Sequence, residues 1–351
     1  MLARFSSVCL EAWGSWLPSR VVTSATLEAQ LAPVYERLKL PAGRLELMTG
    51  VRERRLGTPG LKPSDLAVNA AEQALAQLDD TQRSAMGALV YGGVCRDFLE
   101  PATASVVHDR LKLPASCLAF DLSNACLGVL NAMVVVATMI EAGQIRAGLV
   151  VSGEDGRELV ESTVAALLAD ATLTRQSIKP HFASLTIGAA GVAVVLTHAS
   201  LASHPARRRL RSAIVHADTA HHRLCQGDHT AGGGTLMRTD SEALLLAGVE
   251  LAGRTWEAWC DALPMPRDGS AVDRVFGHKV GRQHRRALFA RLGLDPAKEF
   301  STFETLGNVG SAAAPITMME AAAAGFLRNG HSVALMGIGS GLHCQMLNVA
   351  W

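Results

Sequence analysis

Short apolar runs alternate with amphipathic stretches along most of the chain. The apolar runs have the length of buried strands, and the stretches between them repeat apolar residues at the three- and four-residue spacing of a helix. This alternation predicts an α/β protein with largely parallel sheets. The predicted strands are 88–94, 147–152, 185–197, 272–276, 332–338 and 342–349, and the predicted helices are 64–78, 101–111, 126–140, 241–259, 279–292 and 315–327.

The order of these elements in the second half of the chain repeats the order in the first. Each half alternates strands with helices and carries polar residues where its strands end, although no sequence repeat accompanies the pattern. We therefore predict two halves of similar architecture. The N-terminal half, 1–200, carries a candidate nucleophile, and the C-terminal half, 201–351, carries a histidine and an asparagine of interest.

Composition limits the classes of function. The 351 residues are 49% hydrophobic, and 33 basic residues nearly balance 32 acidic ones, which leaves a formal net charge of +1. This balance gives no support for binding to nucleic acid or to an acidic membrane surface. The main basic cluster, 207–211, is predicted to be a solvated loop in preference to an anion site.

The seven cysteines are scattered, without the spacing of a zinc site or of a Cys-x-x-Cys pair. We therefore expect a reducing, cytoplasmic compartment. The N-terminal segment lacks the apolar core of a signal peptide, and the longest apolar stretch, 129–140, is too short to span a bilayer. Dinucleotide-binding, Walker and Gly-x-Ser-x-Gly patterns are also missing, and the histidines do not form a zinc motif, so the sequence gives no support for a dinucleotide cofactor or a metal site.

Cys126 lies where a nucleophile could be built. The segment 117–128 reads as a short apolar strand, a turn of small residues and the start of a helix that is apolar on every face. Unpaired N–H groups and the positive end of the helix dipole at such a position favour thiolate over thiol. Cys126 could equally be a small, buried core residue, because cysteine is often buried.

Two residues of the second half could supply polar groups to the same chemistry. His278 follows the strand 272–276 and opens a helix, where it could act as an acid, a base or a hydrogen-bond donor, or simply cap the helix. Asn308 lies between glycines, where it could form a left-handed turn or direct its amide into a site as an oxyanion donor.

Two further positions are open to more than one interpretation. Ser340 lies between Gly339 and Gly341, which could let its backbone N–H approach a ligand or could form a plain hairpin turn. Glu100 precedes Pro101 at the start of a predicted helix, where a carboxylate usually complements the helix dipole.

In this order along the chain, several segments together resemble the β-ketoacyl-ACP synthase III branch of the thiolase superfamily. The similarity covers nearly the whole chain. The segments are 14–23, 49–55 (Thr-Gly-Val-Arg-Glu-Arg-Arg), 123–128 (Ser-Asn-Ala-Cys-Leu-Gly), 277–279 (Gly-His-Lys), 307–310 (Gly-Asn-Val-Gly) and 337–341 (Gly-Ile-Gly-Ser-Gly). The resemblance implies a thiolase-like fold, with two duplicated βα halves in a layered αβαβα arrangement.

Within that branch the chain is most similar to the OleA subgroup, the acyl-CoA condensing enzymes of bacterial olefin synthesis. The segment 96–105 (Arg-Asp-Phe-Leu-Glu-Pro-Ala-Thr-Ala-Ser) carries this similarity. In that subgroup a glutamate at the position of Glu100 reaches into the partner subunit's site and acts as a base. His343 departs from the asparagine expected there, and the 228–237 segment is unusually rich in glycine.

The resemblance implies a homodimeric acyltransferase that joins two long-chain acyl-CoA thioesters by a non-decarboxylative Claisen condensation. Cys126 would carry the first acyl group, and the N–H groups of Cys126 and Ser340 would form the oxyanion hole. His278 and Asn308 would stabilise the enolate, and Glu100 would act in trans as the base. The implied partners are acyl-CoA, a second copy of the chain and downstream enzymes of lipid metabolism, with no cofactor.

Two rival functions remain open on the sequence. A decarboxylative synthase III that uses malonyl-ACP would need no glutamate base at Glu100. An acyl-binding or scaffold protein would need neither the thiol of Cys126 nor the side chains of His278 and Asn308, so the presence of all three argues against that class.

Overall fold

The computed structural model describes residues 1–229, 234–277 and 281–351, without the side chains of 229, 282 and 283. Within these ranges the chain forms fourteen strands and twelve α-helices. The strands are β1 (Leu2–Arg4), β2 (Val8–Trp16), β3 (Val21–Thr23), β4 (Glu53–Arg55), β5 (Met86–Gly92), β6 (Leu118–Leu122), β7 (Ala147–Asp155), β8 (Ala189–His198), β9 (Arg209–Ala217), β10 (Cys225–His229), β11 (Thr235–Thr239), β12 (Arg274–Gly277), β13 (Ser332–Gly339) and β14 (His343–Ala350). The helices are α1 (Ser24–Gln30), α2 (Ala32–Arg37), α3 (Arg44–Thr49), α4 (Pro63–Leu75), α5 (Asp80–Ser84), α6 (Thr103–Arg110), α7 (Gly128–Glu141), α8 (Arg157–Ala169), α9 (Ser241–Ala262), α10 (Arg282–Leu292), α11 (Phe303–Leu306) and α12 (Ala313–Ala323).

The two halves of the chain have corresponding strand orders. The N-terminal half runs β2-β8-β7-β5, with β6 added at its edge, and the C-terminal half runs β9-β14-β13-β12. In each half the last strand, β8 or β14, therefore lies between the first strand, β2 or β9, and the strand that precedes it in the chain, β7 or β13. The halves meet where Cys9 of β2 pairs with Arg209 of β9. The predicted duplication of βα halves is confirmed, whereas the boundary at residue 200 stays a prediction.

The sheets are mixed, so the prediction of largely parallel sheets is wrong. Strand β5 is parallel to β6 and β7, and β12 is parallel to β13. Strands β8 and β14 run antiparallel to their neighbours on both sides. Strand β14 is antiparallel to β13 because a short turn at 340–342 reverses the chain, and no crossover helix lies between the two strands.

The layers are those of the predicted αβαβα arrangement. Helices α7 and α12 lie in the centre, where Val129, Met133 and Ile316 share one core with strand residues of both halves such as Val194 and Leu335. Helix α4 covers the outer face of the N-terminal sheet. Helices α9 and α10 cover the outer face of the C-terminal sheet. Helix α7 is apolar all round because it is packed between two sheets.

Several element ends differ from their predicted positions. Helix α4 begins at Pro63, so Ser64 lies inside its first turn and is not its cap. Helix α7 begins at Gly128, which leaves Cys126 in the turn before it. No helix in the described part of the chain is both long and apolar enough to cross a membrane.

The basic cluster 207–211 is only partly solvated. The Arg208 guanidinium lies 4.6 Å from the Trp13 ring centroid and 5.5 Å from that of Trp351. These two indoles are themselves in contact, with centroids 5.1 Å apart. Arg208 therefore has a packing role, through cation–π contacts, that the sequence pattern did not predict.

Candidate active site

A cavity of about 940 Å³ lies between the two halves, at the carboxyl ends of strands from each. Cys126, Asn308 and Ser340 line it, although they are separated by up to 214 positions in the chain. Apolar side chains from α9 and β11, including Leu244, Leu245 and Met237, line it as well. Its volume and mixed lining are those of a site for a ligand with a large apolar portion.

The turn that carries Cys126 is tightly constrained. Ala125 has a φ of 47°, a left-handed conformation that is uncommon for a residue with a side chain. The Leu127 N–H donates to the Asn124 carbonyl over 2.9 Å, which closes the turn. The turn thus directs Cys126 into the cavity at the end of β6 and before the first residue of α7.

A chain of hydrogen-bonded side-chain amides links this turn to the other half of the protein. The Asn124 Nδ2 donates to the Asn131 Oδ1 over 2.6 Å, and the Asn131 Nδ2 donates to the Gln345 Oε1. The Gln345 Nε2 in turn donates to the Leu130 carbonyl over 3.2 Å. Because β14 follows the Ser340 turn, these bonds fix the Cys126 turn relative to that turn. The sequence analysis missed these hydrogen bonds, because individual Asn and Gln residues form no recognisable sequence motif.

The expected preference of Cys126 for the thiolate is wrong, because its surroundings favour the neutral thiol. The pKa of the Cys126 thiol is raised to about 12, mainly by burial and to a smaller extent by the charges of Glu154 and Cys225. A helix N-terminus typically contributes about 0.3–1 kcal/mol, whereas removing an ion from water costs several kcal/mol. Cys126 is therefore a neutral thiol at pH 7, and proton loss must accompany its attack on an electrophile.

Asn308 is held rigidly beside the cavity, with 8% of its surface exposed. Its backbone N–H donates to the Thr186 carbonyl over 2.9 Å, and its carbonyl accepts from Gly188 over 2.8 Å. Its Oδ1 accepts from the Gly310 N–H over 3.0 Å. Since this bond uses the amide oxygen, the Nδ2 is the donor that Asn308 can offer to a ligand.

Ser340 forms the tip of the β13–β14 hairpin and reaches the cavity. The last pair of this hairpin is Gly339 with His343, so Ser340 lies in the short turn. The Asp218 N–H donates to the Leu342 carbonyl over 2.8 Å and holds the turn from outside. His343, the departure from the family pattern, lies at the base of the turn and is not among the described residues that line the cavity.

Glu100 is on the surface and is not among the described residues that line the cavity. It follows Phe98 and Leu99, and Leu99 is 94% exposed. The Lys62 Nζ lies 4.6 Å from the Phe98 ring centroid. The structure therefore does not bring Glu100 to Cys126 within one protomer, although residues 94–99 of the same loop line the cavity.

His278 lies outside the described residues, as does the 230–233 part of the glycine-rich segment. The rest of that segment forms the two-stranded β10–β11 hairpin, from which Cys225 faces the cavity. Within the described ranges no group of three or more His, Cys, Asp or Glu residues is arranged to hold a metal ion.

Glu154 is a cavity residue that the sequence analysis did not single out. It lies near the end of β7, is 4% exposed and lines the cavity that contains Cys126. Glu154 and its neighbour Asp155 form no recognisable motif at the end of the strand, and only the strand order brings Glu154 to Cys126.

Two family models match separate parts of the chain. The model of 3-oxoacyl-[acyl-carrier-protein] synthase III matches residues 120–218, and the model of the C-terminal region of that enzyme matches residues 254–351. The first match contains the Cys126 turn, and the second contains Asn308 and Ser340.

Individual proteins match over most of the chain. An acyl-CoA:acyl-CoA alkyltransferase of Shewanella oneidensis is 40% identical, over 99% of this chain and 100% of its own length. An acyl-CoA:acyl-CoA alkyltransferase of Xanthomonas campestris is 34% identical, over 94% of each chain. A crystal structure of a variant of Xanthomonas campestris OleA superimposes with a TM-score of 0.92 at 32% identity, and covers 100% of this chain and 98% of that one.

Proposed function

Because the chain belongs to the 3-oxoacyl-[acyl-carrier-protein] synthase III family of the thiolase superfamily and is an acyltransferase, we propose that it joins two acyl-CoA molecules by a non-decarboxylative Claisen condensation. The main support for the proposal is that the thiol of Cys126, the amide of Asn308 and the turn at Ser340 line the same cavity. The similarity to two acyl-CoA:acyl-CoA alkyltransferases favours acyl-CoA as both substrates.

In the first half-reaction Cys126 attacks the thioester carbonyl of one acyl-CoA. The new carbon–sulfur bond forms as the bond to CoA breaks, and CoA leaves as a thiol with the proton that Cys126 loses. The backbone N–H groups of Cys126 and Ser340 are the proposed donors to the tetrahedral oxyanion. Donors of this kind contribute about 3 kcal/mol each to a transition state. The product of this step is an acyl-enzyme.

In the second half-reaction a carbanion forms on a second acyl-CoA. Glu100 takes a proton from the carbon next to the thioester, and Asn308 and His278 donate hydrogen bonds to the enolate oxygen. The enolate carbon attacks the acyl group on Cys126 and expels the thiolate, which recovers a proton from Glu100. A β-ketoacyl-CoA results, from which hydrolysis would give the β-keto acid.

Glu100 serves the site of a second protomer in this proposal. Its loop presents the exposed Phe98 and Leu99 to solvent, as expected of a segment that inserts into a partner. Strand β6 ends the described sheet next to this loop, and Leu118 on it is 52% exposed. A symmetric homodimer with both elements at its interface would bring each Glu100 towards the other site.

The size of the cavity supports long acyl chains as substrates. A volume of about 940 Å³ is near the upper end of the range for small-molecule sites. Apolar residues of α9 and the β10–β11 hairpin provide surface for a hydrocarbon chain, since burial of each methylene contributes about 0.8 kcal/mol.

The deciding experiment supplies one long-chain acyl-CoA without any malonyl donor. Wild-type protein should release CoA and a β-keto product, whereas Glu100→Ala should accumulate an acyl adduct on Cys126 without that product. Glu72→Ala, which removes an exposed glutamate of α4, is the matched control and should behave as wild type. Turnover that requires malonyl-ACP and is unaffected by Glu100→Ala would establish the decarboxylative reaction instead.

A further inference from the structure

Glu154 is held by hydrogen bonds from two different segments of the cavity wall. Its Oε1 accepts from the Val94 N–H over 3.1 Å, and its Oε2 accepts from the Cys95 N–H over 3.1 Å. The same Oε1 accepts from the Ser311 N–H over 3.2 Å and from the Ser311 hydroxyl over 2.6 Å. One buried carboxylate therefore joins the residues that follow β5 to the residues that precede α12.

The first of these segments leads to Glu100. The Cys95 peptide is held on both sides, because its carbonyl accepts from the Tyr91 hydroxyl over 2.7 Å. Two residues later, the Asp97 Oδ1 accepts from the Ser64 N–H over 2.8 Å. The loop is thus anchored where it leaves β5, and Glu100 follows only a few residues beyond these anchors.

The second segment begins at Asn308. Ser311 is three residues further along, and its hydroxyl also lies 3.0 Å from the Gly92 carbonyl and 2.9 Å from the Ser152 Oγ. A Cβ on Gly310 would lie 3.0 Å from the Glu154 carboxyl carbon, so the chain between Asn308 and Ser311 passes directly over Glu154. The backbone that fixes the Asn308 amide therefore rests on this carboxylate.

The charge of Glu154 acts on the thiol. The salt bridges found among the described residues do not include Glu154. The ionisable groups whose pKa values its charge raises are Tyr91, Cys95 and Cys126, from three elements around it. After burial, Glu154 is the largest cause of the raised pKa of Cys126.

We propose that Glu154 is a positioning residue, whose carboxylate sets the geometry of the Glu100 loop and of the Asn308 segment around Cys126. This inference rests on the proposed function for its effect on turnover. Glu154→Gln keeps the shape of the side chain but replaces one acceptor oxygen with an NH₂ group, which cannot accept from the N–H groups of Val94, Cys95 or Ser311. One anchor of the cavity wall is therefore lost, together with the charge.

The test compares Glu154→Gln with Glu28→Gln. Glu28 is a matched control because it is also a buried carboxylate, which accepts from the N–H groups of Gly43 and Leu45 over 2.7 and 2.6 Å, away from the cavity. Single-turnover acylation of Cys126 should not slow in Glu154→Gln, whereas condensation should slow at least tenfold, because a displacement of about 1 Å can cost about 100-fold. In Glu28→Gln both rates should stay at the wild-type level, even if its melting temperature falls.

Two further measurements do not depend on the reaction. In Glu154→Gln the backbone amides of residues 94–95 should exchange hydrogen faster, and alkylation of Cys126 by iodoacetamide should shift to lower pH because a negative charge is gone. Wild-type condensation in Glu154→Gln, or equal loss of both half-reactions, overturns the inference. Unchanged exchange with an unmoved alkylation profile overturns it as well. If wild-type protein makes no β-keto product, the proposed function fails, and these two measurements still decide the role of Glu154.

Discussion

Gly92 at the end of β5 and Gly128 at the start of α7 bring their backbones into direct contact. A Cβ on Gly92 would lie 2.5 Å from the Gly128 carbonyl oxygen, which is closer than real side chains approach backbone. The contact fixes the distance between β5 and the turn that carries Cys126. Two glycines far apart in the chain thus set the position of the nucleophile relative to the loop that leads to Glu100.

Gly92→Ala should therefore destabilise the protein and misplace Cys126. Overpacking of this kind costs about 1–3 kcal/mol, and here the obstacle is backbone, which cannot rotate away. Thermal unfolding should show a lower melting temperature, and acylation of Cys126 should slow. Gly248→Ala in α9 is the control for stability, since its nearest neighbour would be at an ordinary 3.6 Å and alanine favours the helix. A Gly92→Ala protein with wild-type stability would contradict the packing argument.

The raised pKa of Cys126 predicts slow alkylation of the free enzyme at neutral pH. Because the folded pKa is about 12, the thiolate fraction and the alkylation rate should rise about tenfold per pH unit from pH 7 to pH 9. Iodoacetamide labelling followed by peptide mapping measures this rate. In urea-unfolded protein the same cysteine should level off above its ordinary pKa of about 8.5. If the alkylation rate of the folded protein instead levelled off below pH 8, Cys126 would have the low pKa that its position before a helix led us to expect.

A shared site predicts complementation between two inactive variants. In a heterodimer of Cys126→Ala and Glu100→Ala, one of the two sites carries both groups. A fully exchanged equal mixture should therefore recover about a quarter of wild-type condensation, because half of its dimers are mixed and half of their sites are intact. The control is a mixture of Glu100→Ala with the Cys126→Ala/Glu100→Ala double variant. It should stay inactive because neither protein carries Glu100. Failure to recover activity after verified exchange would place Glu100 outside the partner's site.

Asn308→Asp should separate the two half-reactions. Aspartate keeps the oxygen that accepts from the Gly310 N–H, so the fold and the acylation of Cys126 should persist. It loses the Nδ2 donor and adds a negative charge where an enolate would form. Condensation should fall by about 100- to 1,000-fold, as it does when one oxyanion donor is removed. Equal losses in acylation and condensation, measured in the same samples, would show that Asn308 acts earlier than proposed.

The sequence was informative where function depends on short segments. Cys126 and Ser340 lie in turns of small residues after strands, Asn308 lies between glycines after helix α11, and the structure brings all three to one cavity. The family resemblance also predicted the layered fold, which is confirmed. Glu100 was identified only through that resemblance, because a surface carboxylate beside a proline has no signature of its own.

The features that the sequence did not reveal depend on tertiary contacts. Glu154 and Gln345 belong to no recognisable sequence motif, and only the strand order places them beside Cys126 and Asn131. The pKa of Cys126 was misjudged because the pattern indicated a helix terminus but not the depth of burial. The antiparallel return of β8 likewise depends on the path of the chain between 156 and 188, which includes α8 and lacks a simple periodicity.

The edge strand β6 has a consequence for the isolated subunit. Its outer side is the last of the described sheet, and an unpaired strand edge beside exposed leucines is a template for any other extended chain. Assembly would then serve as protection as well as catalysis, since the partner would cover the surface most prone to aggregate. With the proposed dimer, a lysine in place of Leu118 should give a subunit that stays monomeric in solution and lacks condensation activity.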